Sequence, residues 1–190
     1  MERVVYVYID ASNLWEAQKS KTKSLDFVKL TEYLRTRYKA TEILMHYYTA
    51  YPAEGTRDYD TSRKHAFYTY LKKGLGFVVR KKELKRIPSE ASTHEDGLIE
   101  KGNMDVELAI DAVHCHNRYS TAILFTGDSD FLALVKYLRA RGKKVYIFSS
   151  RNNISSELRT GADGYTDLLN VTEDIWRDDI TFRNQRQESK

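Results

Sequence analysis

The sequence is poor in the residues that cross-link a chain or interrupt regular structure. It has one cysteine, two prolines and nine glycines among 190 residues. The single thiol, Cys115, excludes internal disulfide bonds and predicts a reducing, cytoplasmic location. So few prolines and glycines argue against collagen-like, linker-rich and many-turned all-β architectures.

Long apolar runs are also missing. The run at residues 4–9 is far shorter than the ~20 residues of a membrane-spanning helix, and no small-residue cleavage site follows the first residues. We therefore expect no membrane span and no signal peptide. The chain is nevertheless 41% hydrophobic and 12% aromatic, which is enough to form a core. An excess of 31 basic over 27 acidic residues permits a polyanionic partner without demonstrating one.

Apolar strand-like segments alternate with helical ones along the chain. Strands are predicted at residues 4–9, 42–51, 77–79, 122–125, 144–148 and 165–169, and helices at 25–37, 62–73, 103–116, 129–140 and 154–159. Strands separated by helices indicate a mostly parallel sheet, so the predicted fold is a three-layer α/β/α sandwich. We expect one domain over residues 1–177, with a loop or insertion at 82–100 and a polar tail at 178–190.

Acidic residues follow two of the apolar strands. Asp10 comes after the first strand, and Asp128 and Asp130 follow the strand at 122–125. In open α/β sheets, ligands bind beyond the carboxyl ends of the strands. Capping of the next helix is an equally good explanation of Asp128 alone, but one cap does not explain both Asp128 and Asp130.

A fourth carboxylate, Asp105, lies on the apolar face of a predicted helix, three residues before Leu108 and seven before Ala112. A buried carboxylate costs several kcal/mol unless it is paired, neutralised or bound to a metal. If the four aspartates converge, the all-oxygen ligands suit Mg²⁺ or Mn²⁺, which can activate a water against a phosphate. No nucleotide-binding glycine motif or zinc-type cysteine and histidine spacing competes with this interpretation.

Three segments resemble the signatures of a known family. Residues 9–13 (IDASN), 101–112 (KGNMDVELAIDA) and 126–131 (TGDSDF) are similar to those of NYN domains, which include the LabA-like proteins and belong to the PIN-like nuclease superfamily. The similarity continues to residues 142–145 and 158–163, and covers residues 3–170. It implies a PIN-like, Rossmann-like topology and metal-dependent endoribonuclease activity.

The resemblance also implies roles for individual residues. Asp10, Asp105, Asp128 and Asp130 match the family's acidic metal cluster, and Asn13 matches an asparagine that orients a water or a phosphate oxygen. A second tier of residues lies in or near the same motifs: Ser12, Lys101, Asp111, Thr126, Ser129 and Asp163. Asp111 matches a family aspartate, although its spacing places it away from the face of Asp105. Lys101 either approaches a phosphate or is a solvated lysine, and Asp163 either borders the site or forms a turn.

Two basic clusters are candidate RNA-binding surfaces. The residues are Lys19, Lys21 and Lys23, predicted to lie in a loop beside Asp10, and Arg80, Lys81 and Lys82. An ordinary solvated surface explains any one of these charges equally well. Trp15 and several tyrosines could stack on unpaired bases, with a core role as the alternative.

The leading functional hypothesis is therefore an Mg²⁺- or Mn²⁺-dependent endoribonuclease that hydrolyses single-stranded regions of RNA. A non-catalytic RNA-binding or regulatory module with the same fold is the alternative. A metal-dependent phosphatase is a third hypothesis, but residues 9–12 lack the DxD pattern expected around its nucleophile. The sequence leaves self-association into a homo-oligomer open.

Overall fold

The computed structural model describes residues 3–52, 62–88 and 98–177. The strands are β1 (Val4–Asp10), β2 (Ser24–Leu25), β3 (Glu42–Tyr51), β4 (Val78–Glu83), β5 (Lys85–Pro88), β6 (Leu98–Lys101), β7 (Thr121–Phe125), β8 (Lys144–Ser149), β9 (Gly164–Asp167) and β10 (Trp176–Arg177). The α-helices are α1 (Ala11–Lys21), α2 (Phe27–Tyr38), α3 (Ser62–Thr69), α4 (Asp105–His114), α5 (Leu132–Ala140) and α6 (Ser156–Gly161).

Six strands form a central sheet in the order β4-β3-β1-β7-β8-β9, and every neighbouring pair is parallel. The chain builds outward from β1 to β4 and then returns to build β7, β8 and β9 on the other side. The strand order therefore reverses between β1 and β7, and such a switch point opens a crevice at the carboxyl ends of the strands. The predicted three-layer fold with a parallel sheet is confirmed.

Helices cover both faces of this sheet. Val5, Val7 and Ile9 point from β1 into one core, which they share with α1 and α2, whereas Tyr6 and Tyr8 point into a second core with α4 and α5. The inner residues of β1 and all of β7 are buried. This is why both strands are continuously apolar in the sequence, without the polar alternation of a half-exposed strand.

The prediction missed helix α1, whose residues were expected to run into a loop. The side chain of Asp10 caps this helix by accepting from the amide of Ser12. Only Leu14 and Ala17 are buried along its length. Two apolar positions in eleven give no periodic stripe, so the sequence carries little helical signal here.

The segment at 82–100, predicted as a loop or insertion, contains regular structure. Strand β4 continues through Glu83, and β5 then pairs antiparallel with β6, joining Lys85 to Lys101 and Pro88 to Leu98. Residues 89–97 and the predicted tail at 178–190 lie outside the described residues.

A small antiparallel pair ties the end of the described chain to its beginning. Strand β10 pairs with β2, and Arg177 donates from Nε and Nη2 to Oδ2 of Asp26 at 2.9 and 2.7 Å. Asp26 is buried and also caps α2 by accepting from the amides of Val28 and Lys29. No helix within the described ranges is long and apolar enough to cross a membrane.

Candidate active site at the switch point of the sheet

Asp10 and Asp128 stand on either side of the switch point. Asp10 ends β1 and is partly buried, and its Oδ1 accepts from the amide and hydroxyl of Ser12 at 2.9 and 2.7 Å. Asp128 follows β7, and its Oδ1 accepts from the amide of Asp130 at 2.9 Å. Both therefore cap the turns that follow them. A carboxylate has about four lone-pair positions, so capping leaves acceptor capacity for a ligand.

Asp105 reaches the same region from the first residue of α4. Burial and, after it, the charges of Asp10, Asp128 and Asp130 together raise the pKa of its carboxyl to about 6. The pKa of Asp10 is also raised, first by burial and then by the charge of Asp128, against the bonds from Ser12 that lower it. The four predicted carboxylates thus come from three elements into one electrostatic field.

The carboxylate oxygens of these aspartates are suitable ligands for a hard divalent cation, but they do not form a complete coordination sphere. Within residues 3–52, 62–88 and 98–177, no three His, Cys, Asp or Glu side chains are grouped closely enough to hold one ion. Mg²⁺ commonly keeps several waters and takes only one or two carboxylates from a protein. Carboxylates that repel one another around an open crevice are compatible with that mode of binding.

An open groove of about 520 Å³ lies beside Asp10 and Asp128. Its walls include Asn13 and Trp15 of α1 and Asn153 from the loop after β8. Oδ1 of Asn13 accepts from the buried hydroxyl of Ser149 at 3.1 Å, which leaves the amide nitrogen of Asn13 as a donor.

Gly127 fixes the opposite wall of this groove. A Cβ at position 127 would overlap the carbonyl oxygen of Asn153 and crowd Ser149 Oγ, and the amide of Ser155 donates to the Gly127 carbonyl at 3.0 Å. The loop that carries Asn153 can pack against the turn that carries Asp128 because residue 127 has no side chain.

The second-tier residues of the motifs have local structural roles near the site. Ser12 bonds Asp10, and buried Thr126 accepts from the amide of Asp128 at 3.3 Å. Ser129 begins the short 3-10 turn that Asp128 caps, and exposed Lys101 ends β6 four residues before Asp105. These placements support the geometry of the acidic residues.

Asp111 lies away from the four acids and joins α4 to the sheet. It accepts from the hydroxyl of Tyr48 at 2.9 Å and from Nε of Arg80 at 3.1 Å. The spacing that separated Asp111 from the face of Asp105 agrees with this position. Its role in the described structure is to hold α4 against β3 and β4.

Asp163 does not border the site. It precedes β9 and accepts from the amide of Val145 and from Lys144. It therefore lies at the amino ends of the strands, whereas Asp10 lies at the carboxyl ends. Arg139 lies 3.3 Å from the same carboxylate. The interpretation as a rim residue is therefore wrong, because strands β8 and β9 are parallel and Asp163 stands at their amino ends.

The first basic cluster is also misplaced in the prediction. Lys19 and Lys21 lie in the last turn of α1, which runs back from the site, so Lys21 is roughly 16 Å along the helix from Asp10. Lys21 and Lys23 both pair with Glu173, at 2.5 and 3.1 Å, and Lys19 pairs with Glu16 at 2.6 Å. These lysines lie at the wrong end of the helix to contact a ligand beside Asp10.

The second basic cluster, on β4, lies level with Asp10 along the strands. Arg80 pairs in register with Tyr48, which pairs with Asp10, so Arg80 is two strands or roughly 10 Å from the site. Arg80 is engaged by Asp111, however, and Lys82 by Glu107 at 2.7 Å. Lys81 lies over the ring of Tyr51, 5.6 Å from its centroid.

Sequence reasoning missed three residues that shape the site: Asn103, Ser149 and Asn153. Nδ2 of Asn103 donates to Oδ2 of Asp105 at 2.5 Å. Asn103 lies in the segment 101–112, in which Lys101, Asp105 and Asp111 were predicted as site residues. Ser149 ends an apolar strand, so the signal that identified Asp10 was present at Ser149 as well. Asn153 had no such signal, because a tertiary contact with Gly127 places it.

A doubly wound parallel sheet defines the Rossmann-like α/β class, and this strand order is consistent with a PIN-like fold. Residues 4–169 match the NYN domain family, and the chain belongs to that family. It is 28% identical over 165 residues to the "Low amplitude and bright protein LabA" of Synechococcus elongatus, covering 87% of this chain and 83% of LabA.

Among solved structures, the fold is similar to that of a protein of unknown function from Vibrio parahaemolyticus. The TM-score is 0.66 at 20% sequence identity, with 93% of this chain and 97% of the other covered. At that identity the likeness supports the fold alone.

Proposed function

We propose that the protein is a divalent-metal-dependent ribonuclease that hydrolyses phosphodiester bonds at the switch point. The observation that carries the proposal is the gathering of Asp10, Asp105, Asp128 and Asp130 from three elements into one charged field, in a chain of the NYN family. Membership of a nuclease-like family supports an activity on nucleic acid. RNA as the substrate and endonucleolytic cleavage belong to the proposal.

Mg²⁺ or Mn²⁺, when bound, supplies positive charge that activates a water and offsets the charge of the phosphate. Asp10 and Asp128, which line one groove, hold the cation in this proposal, and the bound charge relieves the repulsion that raises the pKa of Asp105. Asn13 presents its amide nitrogen to a phosphate oxygen or a water, because Ser149 fixes the other end of that amide.

A cleavage assay with matched carboxylate variants tests the proposal. Labelled single-stranded RNA, single-stranded DNA and duplex RNA are incubated with wild type, Asp128→Asn and Glu32→Gln, in Mn²⁺ and in EDTA. Glu32 is an exposed carboxylate of α2 whose pairing with Arg35 at 3.8 Å is loose, so it controls for the loss of one charge.

We expect internal cleavage of single-stranded RNA in Mn²⁺ by wild type and Glu32→Gln. EDTA abolishes it, and Asp128→Asn lowers it by about a hundredfold or more, in line with losing a directly acting polar group. Equal rates for all three proteins, or cleavage in EDTA, would point to a contaminating nuclease and contradict the proposal.

A non-catalytic RNA-binding module is the second candidate function. The absence of a three-ligand group in the described part of the chain favours it, since a binding module does not need an assembled metal site. Binding of the same RNA without cleavage, in each of Mg²⁺, Mn²⁺ and Co²⁺, would support this candidate over the first.

A further inference from the structure

The groove beside Asp10 has one large aromatic wall. The side chain of Trp15 is 46% exposed and lines the same cavity as Asp10, Asn13 and Asp128. Single exposed apolar residues are ordinary on protein surfaces. Trp15 differs because its exposed ring faces a polar, acidic groove that the family's motif residues build.

Helix α1 packs against the sheet through Leu14 and Ala17, which are both buried. A tryptophan can bury roughly 150–250 Å² of surface. Trp15 leaves nearly half of its surface exposed at the groove, so its ring still offers area to a ligand there.

The other walls present hydrogen-bonding groups at fixed positions. Asn13 offers an amide donor whose orientation Ser149 sets, and the loop that carries Asn153 is held by its contact with Gly127. A flat ring beside fixed amide groups matches a nucleobase, which has a π-face for stacking and polar edges for hydrogen bonds. The carboxylates beyond them lie where the proposed function places the scissile phosphate.

We propose that Trp15 is the stacking platform for one unpaired nucleobase next to the scissile phosphate. This inference rests on the proposed function and deepens it, because it assigns a base subsite to the groove. A base inside a duplex does not offer its face to a side chain, so the subsite restricts the substrate to single-stranded segments. Stacking is tolerant of base identity, so the subsite reads strandedness rather than sequence.

Binding can be measured apart from cleavage. The parent is the full-length Asp128→Asn variant in Mn²⁺, and the probes are fluorescein-labelled hexaadenylate RNA and a blunt RNA duplex, followed by anisotropy. Trp15→Ala, Trp15→Phe and Tyr70→Ala are added to this parent. Tyr70 is the matched control, since it is 45% exposed and lies before β4, outside the groove. Circular dichroism and thermal melting check that each variant is folded.

We expect Trp15→Ala to weaken hexaadenylate binding by about 5- to 150-fold, the range measured when one base–aromatic stack is removed. Trp15→Phe keeps a stacking ring and stays within about threefold of the parent. Tyr70→Ala binds like the parent, and duplex binding is the same for all four proteins.

Equal hexaadenylate affinity of Trp15→Ala and the parent would overturn the inference, whatever the cleavage assay shows. So would an equal loss of single-strand and duplex binding, or a Trp15→Phe variant as weak as Trp15→Ala. A parent that binds neither probe, together with a wild type that cleaves no RNA, would overturn the proposed function and this inference with it.

Discussion

Replacing Asp105 with asparagine tests whether the carboxylates at the switch point repel one another. Burial and the charges of Asp10, Asp128 and Asp130 raise the pKa of Asp105 from 3.8 to about 6. The folded protein therefore binds this proton more tightly than the unfolded chain does. Its stability falls as the pH rises from about 4 to about 6, and the full cost is present above pH 6.

The size of the effect follows from the shift. Each pKa unit corresponds to about 1.4 kcal/mol, so a shift of about two units gives an upper bound of about 3 kcal/mol. Asp105 is only partly buried, and solvent screening reduces this to about 1 kcal/mol. We expect Asp105→Asn to raise the free energy of unfolding by about that amount at pH 7.5, and the melting temperature by about 2–4 °C.

Urea and thermal unfolding in EDTA, at pH 4 and at pH 7.5, provide the assay. Glu107→Gln is the matched control on the same helix, because a hydrogen bond from Lys82 lowers the pKa of Glu107. Loss of the Glu107 charge should lower the free energy of unfolding by a few tenths to about 1 kcal/mol, whereas Asp105→Asn should raise it. Mn²⁺ should then stabilise wild type more than Asp105→Asn.

Two results would refute this reasoning. One is an Asp105→Asn variant that is no more stable than wild type at pH 7.5. The other is a gain in stability that persists unchanged at pH 4, where the wild-type carboxyl is already protonated.

Two further variants test the structure around the site. Asp26→Ala should lower the free energy of unfolding by about 2–3 kcal/mol, because it removes a helix cap and the bond to Arg177. Burial alone would raise the pKa of Asp26, but the amide of Lys29 and the side chain of Arg177 lower it. The stabilisation by the Asp26 carboxylate is therefore present above about pH 4 and lost in acid. An unchanged urea midpoint would contradict this. Gly127→Ala should lower the free energy of unfolding by about 1–3 kcal/mol and reduce RNA cleavage, because a methyl group would push away the loop of Asn153. A variant that melts and cleaves like wild type would argue against that contact.

The layered architecture was predictable because it follows from local patterns. Strands such as β1 and β7 are apolar throughout, since both of their faces are covered. Gly142, which follows α5, has a φ of 74°, a left-handed conformation that glycine adopts without strain. The edge strand predicted at residues 165–169 corresponds to β9 at one side of the sheet.

What the sequence did not reveal depends on long-range contacts or on weak local patterns. Thr22 caps the end of α1 and Lys39 caps the end of α2, both with left-handed backbones that glycine would normally mark. The pairing of Lys21 with Glu173 joins residues 152 positions apart, and no spacing rule could anticipate it. The role of Asp163 could not be decided for the same reason, because its partner amide belongs to another strand.

The two outer strands of the central sheet also bear on how copies of the chain can associate. An exposed strand edge can pair with a strand from another molecule, and charged side chains or a short length discourage this. Strand β4 carries Arg80, Lys81 and Lys82 in succession, and β9 has only four residues. Extension of the sheet from one copy to the next is therefore disfavoured at both sides.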